Sequence, residues 1–152
     1  MNGLQRKHIS KNDRIYVYNL CGGHCAYCGC SISIRQMQVD HYIPLELAAL
    51  VPDQDLNSRG NYLPACRSCN NYKSSMNIEK FRLCITKFTD VLLRDSVTYK
   101  NAVRFGQIVP TQHVQQFYYE KVGISIPAME WDNECRTELH KTYFAEMEHA
   151  IP

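Results

Sequence analysis

Apolar residues come along this chain in short bursts, and each burst predicts an element. Ile15, Val17, Tyr18, Leu20 and Cys21 supply one apolar face behind Ser10, which reads as an N-cap with Asp13 in the first turn; Gly22 and Gly23 stop that helix. Ile34, Met37 and Val39 then alternate, which predicts a strand whose end carries Asp40 and His41 just before Pro44. Residues 45–51 predict a helical turn or two, and Pro52, Asp53, Asp55, Asn57 and Gly60 mark a loop. Tyr62, Leu63 and Pro64 form the next apolar stretch, after Asn61, and Asn70 falls where a further helix can begin. Asn77 caps a longer helix, with Ile78, Phe81, Ile85, Phe88, Val91 and Leu92 at helical spacing. A short helix at 98–105 closes at Gly106, another runs from Thr111 to Val122, residues 124–130 read as extended, and Asp132 or Asn133 caps a last helix reaching about Glu148. Tyr118 and Tyr119 are expected to pack in the core.

Length and composition add bounds. A chain of 152 residues predicts a single domain, 1–152, and 45% hydrophobic with 21% charged content is ordinary for a globular fold. No apolar run approaches the roughly 18 residues of a membrane span. Nothing at the N-terminus resembles a secretory signal, so the expected setting is reducing and cytoplasmic. The net charge of +2 says little by itself, but its distribution is uneven: residues 1–58 are net 0, 59–104 net +6 and 107–152 net −4. The basic stretch includes Arg59, Arg67, Lys73, Arg82, Lys87 and Arg94, as a phosphate-contacting surface requires; a solvated helix face rich in Lys and Arg gives the same pattern beyond residue 80.

The cysteines carry the first chemical signal. Cys25/Cys28 and Cys66/Cys69 are two Cys-x-x-Cys pairs, 37 residues apart. Four thiolates so spaced can meet tetrahedrally on zinc, and Gly29 fits the tight turn after the first pair. Disulfides or free core cysteines are the alternatives, and a reducing compartment disfavours the first. With four protein ligands the site would be closed and structural. Cys21 and Cys30 flank the first pair as competing ligands, and Cys84 lies on the apolar stripe of its helix.

The stretch CAYCG at 25–29, VDHYIP at 39–44 and NYLPACRSCNNYK at 61–73 resembles the HNH endonuclease family in its four-cysteine, zinc-bearing form. The resemblance spans about residues 14–75, and its third signature letter is Asn70, an H-N-N variant. It implies an α+β fold: a ββα-metal core at 14–75 with a structural zinc knot, flanked by additional helices, and a helical extension at 76–152. It implies that His41 is the general base that takes a proton from the attacking water. Asp40 and Asn70 would hold one divalent cation, Mg²⁺ with Mn²⁺ as a substitute, through oxygen. Asn61 would pin the backbone around His41, and Lys73, Arg67, Arg59 and Arg82 would meet the phosphates of DNA, double-stranded by expectation. The products would be 5′-phosphate and 3′-hydroxyl ends. A second reading, of a different class, is a zinc-stabilised nucleic-acid-binding or protein-interaction module that has lost catalysis; the joint presence of Asp40, His41, Asn61 and Asn70 separates the two.

Overall fold

Ser10 opens the first helix as its sequence predicts. Its hydroxyl accepts from Asp13 N at 3.1 Å, and helix α1 runs Lys11–Leu20. Gly22 and Gly23 then turn the chain at φ +54° and +78°, backbone that costs a residue with a Cβ more than it costs glycine. The computed structural model describes residues 4–111 and 115–132, and everything below refers to those.

The architecture is α+β. Strand β1 (Gln38–His41) pairs antiparallel with β2 (Tyr62–Ala65), placing Val39 opposite Pro64, Asp40 opposite Leu63 and His41 opposite Tyr62. Pro64 donates nothing to a ladder, which suits a two-stranded sheet. Helix α2 (Arg67–Lys73) follows β2 after one residue and packs on β1, while α1 packs on β2. The strand begins later than the alternation suggested. Ile34 is exposed in a turn where the Ser33 hydroxyl donates to Gln36 Oε1 at 2.9 Å, and of the alternating residues Met37 and Val39 are buried.

The described residues fall into two compact units, one made of 4–75 with 117–132 and the other of 76–111 with 115–116. In the first, Val17, Tyr27, Val39, Leu56, Leu63, Phe117 and Tyr119 are buried. The stretch after residue 116 belongs here because its backbone is tied to the first cysteine turn: Tyr118 N donates to Tyr27 O at 3.0 Å and Tyr119 N to Ala26 O at 2.8 Å. Tyr119 stacks against Phe117 and meets Tyr27 and Tyr42 edge-on. Tyr118 leans over Gly29, where any Cβ would sit 2.8 Å from its ring, and Gly29 also has φ +76°.

Two helix expectations in this region change. Of the helix expected at 111–122, α6 (Tyr118–Lys121) is helical; Phe117 N, which donates to Glu120 Oε2 at 2.7 Å, starts it. Residues 127–132 are helical and not extended, since Pro127 presets φ for a first helical turn and has no N–H to lose there. The final helix expected from 132 or 133 to 148 lies outside the described residues, apart from Asp132, which continues this turn.

The second unit holds α3 (Ile78–Thr86), α4 (Phe88–Asp95) and α5 (Val97–Arg104). Asn77 caps α3 by accepting from Lys80 N at 2.8 Å. The single long helix expected here is broken at Lys87, which ends α3 and begins α4. Thr86 Oγ1 donates back to Arg82 O at 2.9 Å, a bond that bends helices. The expected apolar stripe splits with it: Ile78 and Phe81 are buried, but Phe88, Val91 and Leu92 are 41%, 40% and 42% exposed. No helix of the described residues is long and apolar enough to cross a membrane.

Candidate active site and metal centre

The two cysteine pairs come together because each sits on a tight local turn. In the first, Gly29 N donates to Cys25 O at 2.9 Å, and Ala26 N bonds Pro64 O at 2.8 Å, fastening that turn to β2. In the second, Cys66 is the N-cap of α2, its sulfur accepting from Cys69 N at 3.4 Å. The sulfurs of Cys25, Cys28, Cys66 and Cys69 all lie within 4.8 Å of one another, with Cys28 and Cys66 at 3.9 Å. A zinc tetrahedron with Zn–S bonds of about 2.3 Å has edges of about 3.8 Å, so the donor set fits zinc in both chemistry and size. The Cys69 thiol, donating to Cys25, holds the Cys25 thiol down at about 4, and that same bond pushes Cys69 up. A bound cation would displace the protons of such a cluster into solvent. Cys21, raised to about 11 by burial, and Cys30, raised to about 12 by burial and then by its bond to Cys28, stand outside the quartet.

The polar residues gather on the other end of the same elements. Asp40 and His41 end β1, Asn70 lies on α2, and all three line one open cavity of about 440 Å³ with Arg6, Pro44, Glu46 and Ser74. Asp40 Oδ2 accepts from the Tyr27 hydroxyl and from Lys73 Nζ at 3.0 Å. Among the described residues Oδ1 accepts no hydrogen bond, and no buried side-chain oxygen lacks a partner, so Oδ1 opens to solvent. Asn70 Nδ2 donates to Gln38 Oε1 at 2.6 Å, which turns its carbonyl oxygen away from Gln38. One carboxylate oxygen and one amide oxygen on a single cavity are hard donors of the kind that Mg²⁺ or Mn²⁺ takes alongside water.

Asn61 is wholly buried and fully bonded. Its Oδ1 accepts from Ile43 N at 2.8 Å, and Nδ2 donates to Ile43 O at 2.9 Å and Leu56 O at 3.0 Å, clamping the backbone two residues past His41. The His41 ring stands edge-on to Tyr62, and its Nε2 is 3.3 Å from Asn57 Oδ1. Burial, and next the Arg6 guanidinium, hold its imidazole below the ordinary 6.5.

The four expected DNA contacts separate. Lys73 is corrected outright: its side chain is 0% exposed, and its ammonium is committed to Asp40 Oδ2 and to His41 O at 2.8 Å. One helical turn past Asn70 points it inward under β1, so it braces the Asp-His pair and cannot reach a phosphate from there. Arg82 is drawn into its own unit, 14% exposed, with Glu79 at 3.2 Å and donating to Gln115 O at 2.6 Å. Arg59 pairs with Asp13 at 2.6 Å and lies 4.9 Å from the centre of the Tyr16 ring. Arg67 is exposed at the start of α2 and makes no hydrogen bond or ion pair among the described residues. Tyr27, Asn57 and Arg6 complete the site without having been marked in the sequence. Tyr27 hides between two zinc cysteines, and Asn57 reads as one more polar loop residue.

The family model for HNH endonuclease matches residues 25–76. The chain is 36% identical over 70 residues to the CRISPR-associated endonuclease Cas9 of Actinomyces naeslundii, an alignment covering 45% of this chain and 6% of that protein. The crystal structure of the Type II-C Cas9 enzyme from Actinomyces naeslundii aligns with a TM-score of 0.40 at 29% identity, over 52% of this chain and 9% of that one. This chain therefore spans less than a tenth of either relative's length. Residues 25–76, which carry the cysteine quartet, Asp40, His41, Asn61 and Asn70, are an HNH endonuclease domain.

Proposed function

We propose that this chain is a metal-dependent endonuclease that hydrolyses DNA phosphodiester bonds. The observation that carries the reading is that Asp40, His41 and Asn70 line one cavity while Lys73 and Asn61 hold them from behind. Asp40 Oδ1 and Asn70 Oδ1 would hold one divalent cation, Mg²⁺ or Mn²⁺, which when bound stabilises charge on the phosphate and on the departing oxygen. The remaining work falls to the protein. His41 takes a proton from a water as that water's oxygen bonds phosphorus. The bond to the 3′ oxygen breaks, that oxygen takes a proton from solvent water, and the ends are a 5′-phosphate and a 3′-hydroxyl. A neutral imidazole is needed, and both burial and Arg6 favour that form near neutrality. The structural zinc would be held by Cys25, Cys28, Cys66 and Cys69 and leaves no open position for substrate. Arg67, exposed and without an ion pair among the described residues, would meet backbone phosphate, and duplex DNA is the proposed substrate.

Nicking of supercoiled plasmid with and without Mg²⁺ tests the proposal. Cleavage should require the cation, and His41→Ala should lower the rate by about 10²- to 10⁴-fold with the fold intact. DNA binding without cleavage under any divalent cation would leave the non-catalytic binding module standing instead.

A further inference from the structure

The His41 imidazole can serve as a base only through a nitrogen that lacks a proton, so whatever sets its tautomer sets which nitrogen acts. We infer that Asn57 is the positioning residue for His41: it fixes the proton on Nε2 and leaves Nδ1 as the basic nitrogen. This rests on the endonuclease reading only for its kinetic consequence; the tautomer itself does not depend on it.

The argument is one of hydrogen-bond direction. Asn57 Nδ2 donates to Gln5 O at 3.1 Å, and Asn57 Oδ1 accepts from Lys7 N at 3.2 Å. Reversing the amide would set its NH₂ against the Lys7 N–H and its oxygen against the Gln5 carbonyl, two donors facing and two acceptors facing. The backbone of residues 5 and 7 thus locks the amide. The atom that it presents to His41 Nε2, at 3.3 Å, is its carbonyl oxygen, which can only accept. Neutral His41 must then carry its proton on Nε2. Its Nδ1 meets no hydrogen-bonding group among the described residues and is not sealed from solvent, on a residue that lines the cavity.

Asn57 is itself held by its neighbours. Its N–H donates to Asp55 Oδ1 at 3.0 Å, Asp55 is 3.8 Å from Lys7 Nζ, and the adjoining Leu56 carbonyl is bound by the buried Asn61. Arg6, between the two residues that lock the amide, donates to Val39 O and lines the cavity. The segment at 5–7 and the loop at 55–57 therefore form one frame around the ring.

The test is direct observation of the ring nitrogens. Long-range ¹H–¹⁵N correlation spectra of the full chain, recorded above the imidazole's titration range and assigned with His41→Ala, should show His41 as the Nε2–H tautomer. Asn57→Leu should convert it to a mixture or to Nδ1–H, and Asn57→Asp, which keeps an acceptor, should restore Nε2–H. In plasmid cleavage Asn57→Leu should lower kcat by about 10- to 100-fold, the range for groups that orient a working imidazole, with KM for DNA little changed and partial recovery in Asn57→Asp. Zinc content and spectral dispersion report whether Asn57→Leu is folded. A wild-type His41 on Nδ1–H overturns the inference, and so does a wild-type tautomer in folded Asn57→Leu. If Asn57→Leu does not fold, the wild-type and Asn57→Asp spectra still decide it. A protein that never cleaves but shows the Nε2–H tautomer would remove the endonuclease reading and leave the role of Asn57 in place.

Discussion

Replacing Lys73 with Met should destabilise the protein far more than it weakens DNA binding. The two side chains are similar in length, so the change removes charge and donors while leaving little cavity. In the native fold the Lys73 ammonium is fully buried, 3.0 Å from Asp40 Oδ2 and 2.8 Å from His41 O. Its loss strands a carboxylate that is itself nearly buried and leaves a strand carbonyl without its donor. Breaking a buried pair from one side costs about 3–5 kcal/mol, against about 5–15 kcal/mol of total stability for a typical domain. With m at most about 3 kcal/mol/M, the urea midpoint should fall by at least about 1 M. Asp40→Asn together with Lys73→Met should lose less than the sum of the two single changes, because the carboxylate is no longer stranded; coupling of about 0.5–3 kcal/mol is the range for residues in contact. Urea unfolding followed by tyrosine fluorescence, with anisotropy of labelled duplex in parallel, reads both quantities. A Lys73→Met protein within about 0.5 kcal/mol of wild type, the range for surface substitutions, but with a clear loss of DNA affinity would refute the buried-brace role and return Lys73 to a phosphate.

Other measurements bear on the remaining parts of the site. Serine at Cys25, Cys28, Cys66 or Cys69 should each abolish stoichiometric zinc in metal analysis, whereas Cys21→Ser, Cys30→Ser and Cys84→Ser should retain it. Chelation should unfold the first unit, since structural zinc contributes on the order of 10 kcal/mol to small sites. Arg67→Ala should weaken duplex binding similarly across sequences and flatten the salt dependence by about one contact's worth, a slope near 0.9, while Lys73→Met should leave that slope unchanged. The rate of cleavage should fall as pH drops, with its half-point below 6.5, because the base is active only when unprotonated and its proton affinity is lowered. Arg6→Gln removes a nearby positive charge and should move that half-point to higher pH; an unmoved profile would detach Arg6 from the His41 field.

The sequence by itself determined what depends on spacing and on neighbours along the chain. The Ser10 cap and the Gly22-Gly23 stop delimit α1 because caps act within three or four residues. The four cysteines were legible for the same reason: each pair is a local turn, and two such turns can present four thiolates to one zinc. Asp40, His41, Asn61 and Asn70 were marked by the motif. The tertiary structure decided what depends on direction through space. Lys73 looks like a surface cation in sequence, yet its place on α2 aims it at the underside of β1, where Asp40 offers a partner charge. The stretch after residue 116 reads as one more helix, but its backbone closes on Tyr27 and Ala26, some ninety positions earlier in the chain. Asn57 lies in a polar loop with nothing to distinguish it, and gains its role only where the loop meets His41 and the backbone of Gln5 and Lys7. Hydrogen-bond direction and burial are properties of the assembled fold, and no periodicity along the chain encodes them.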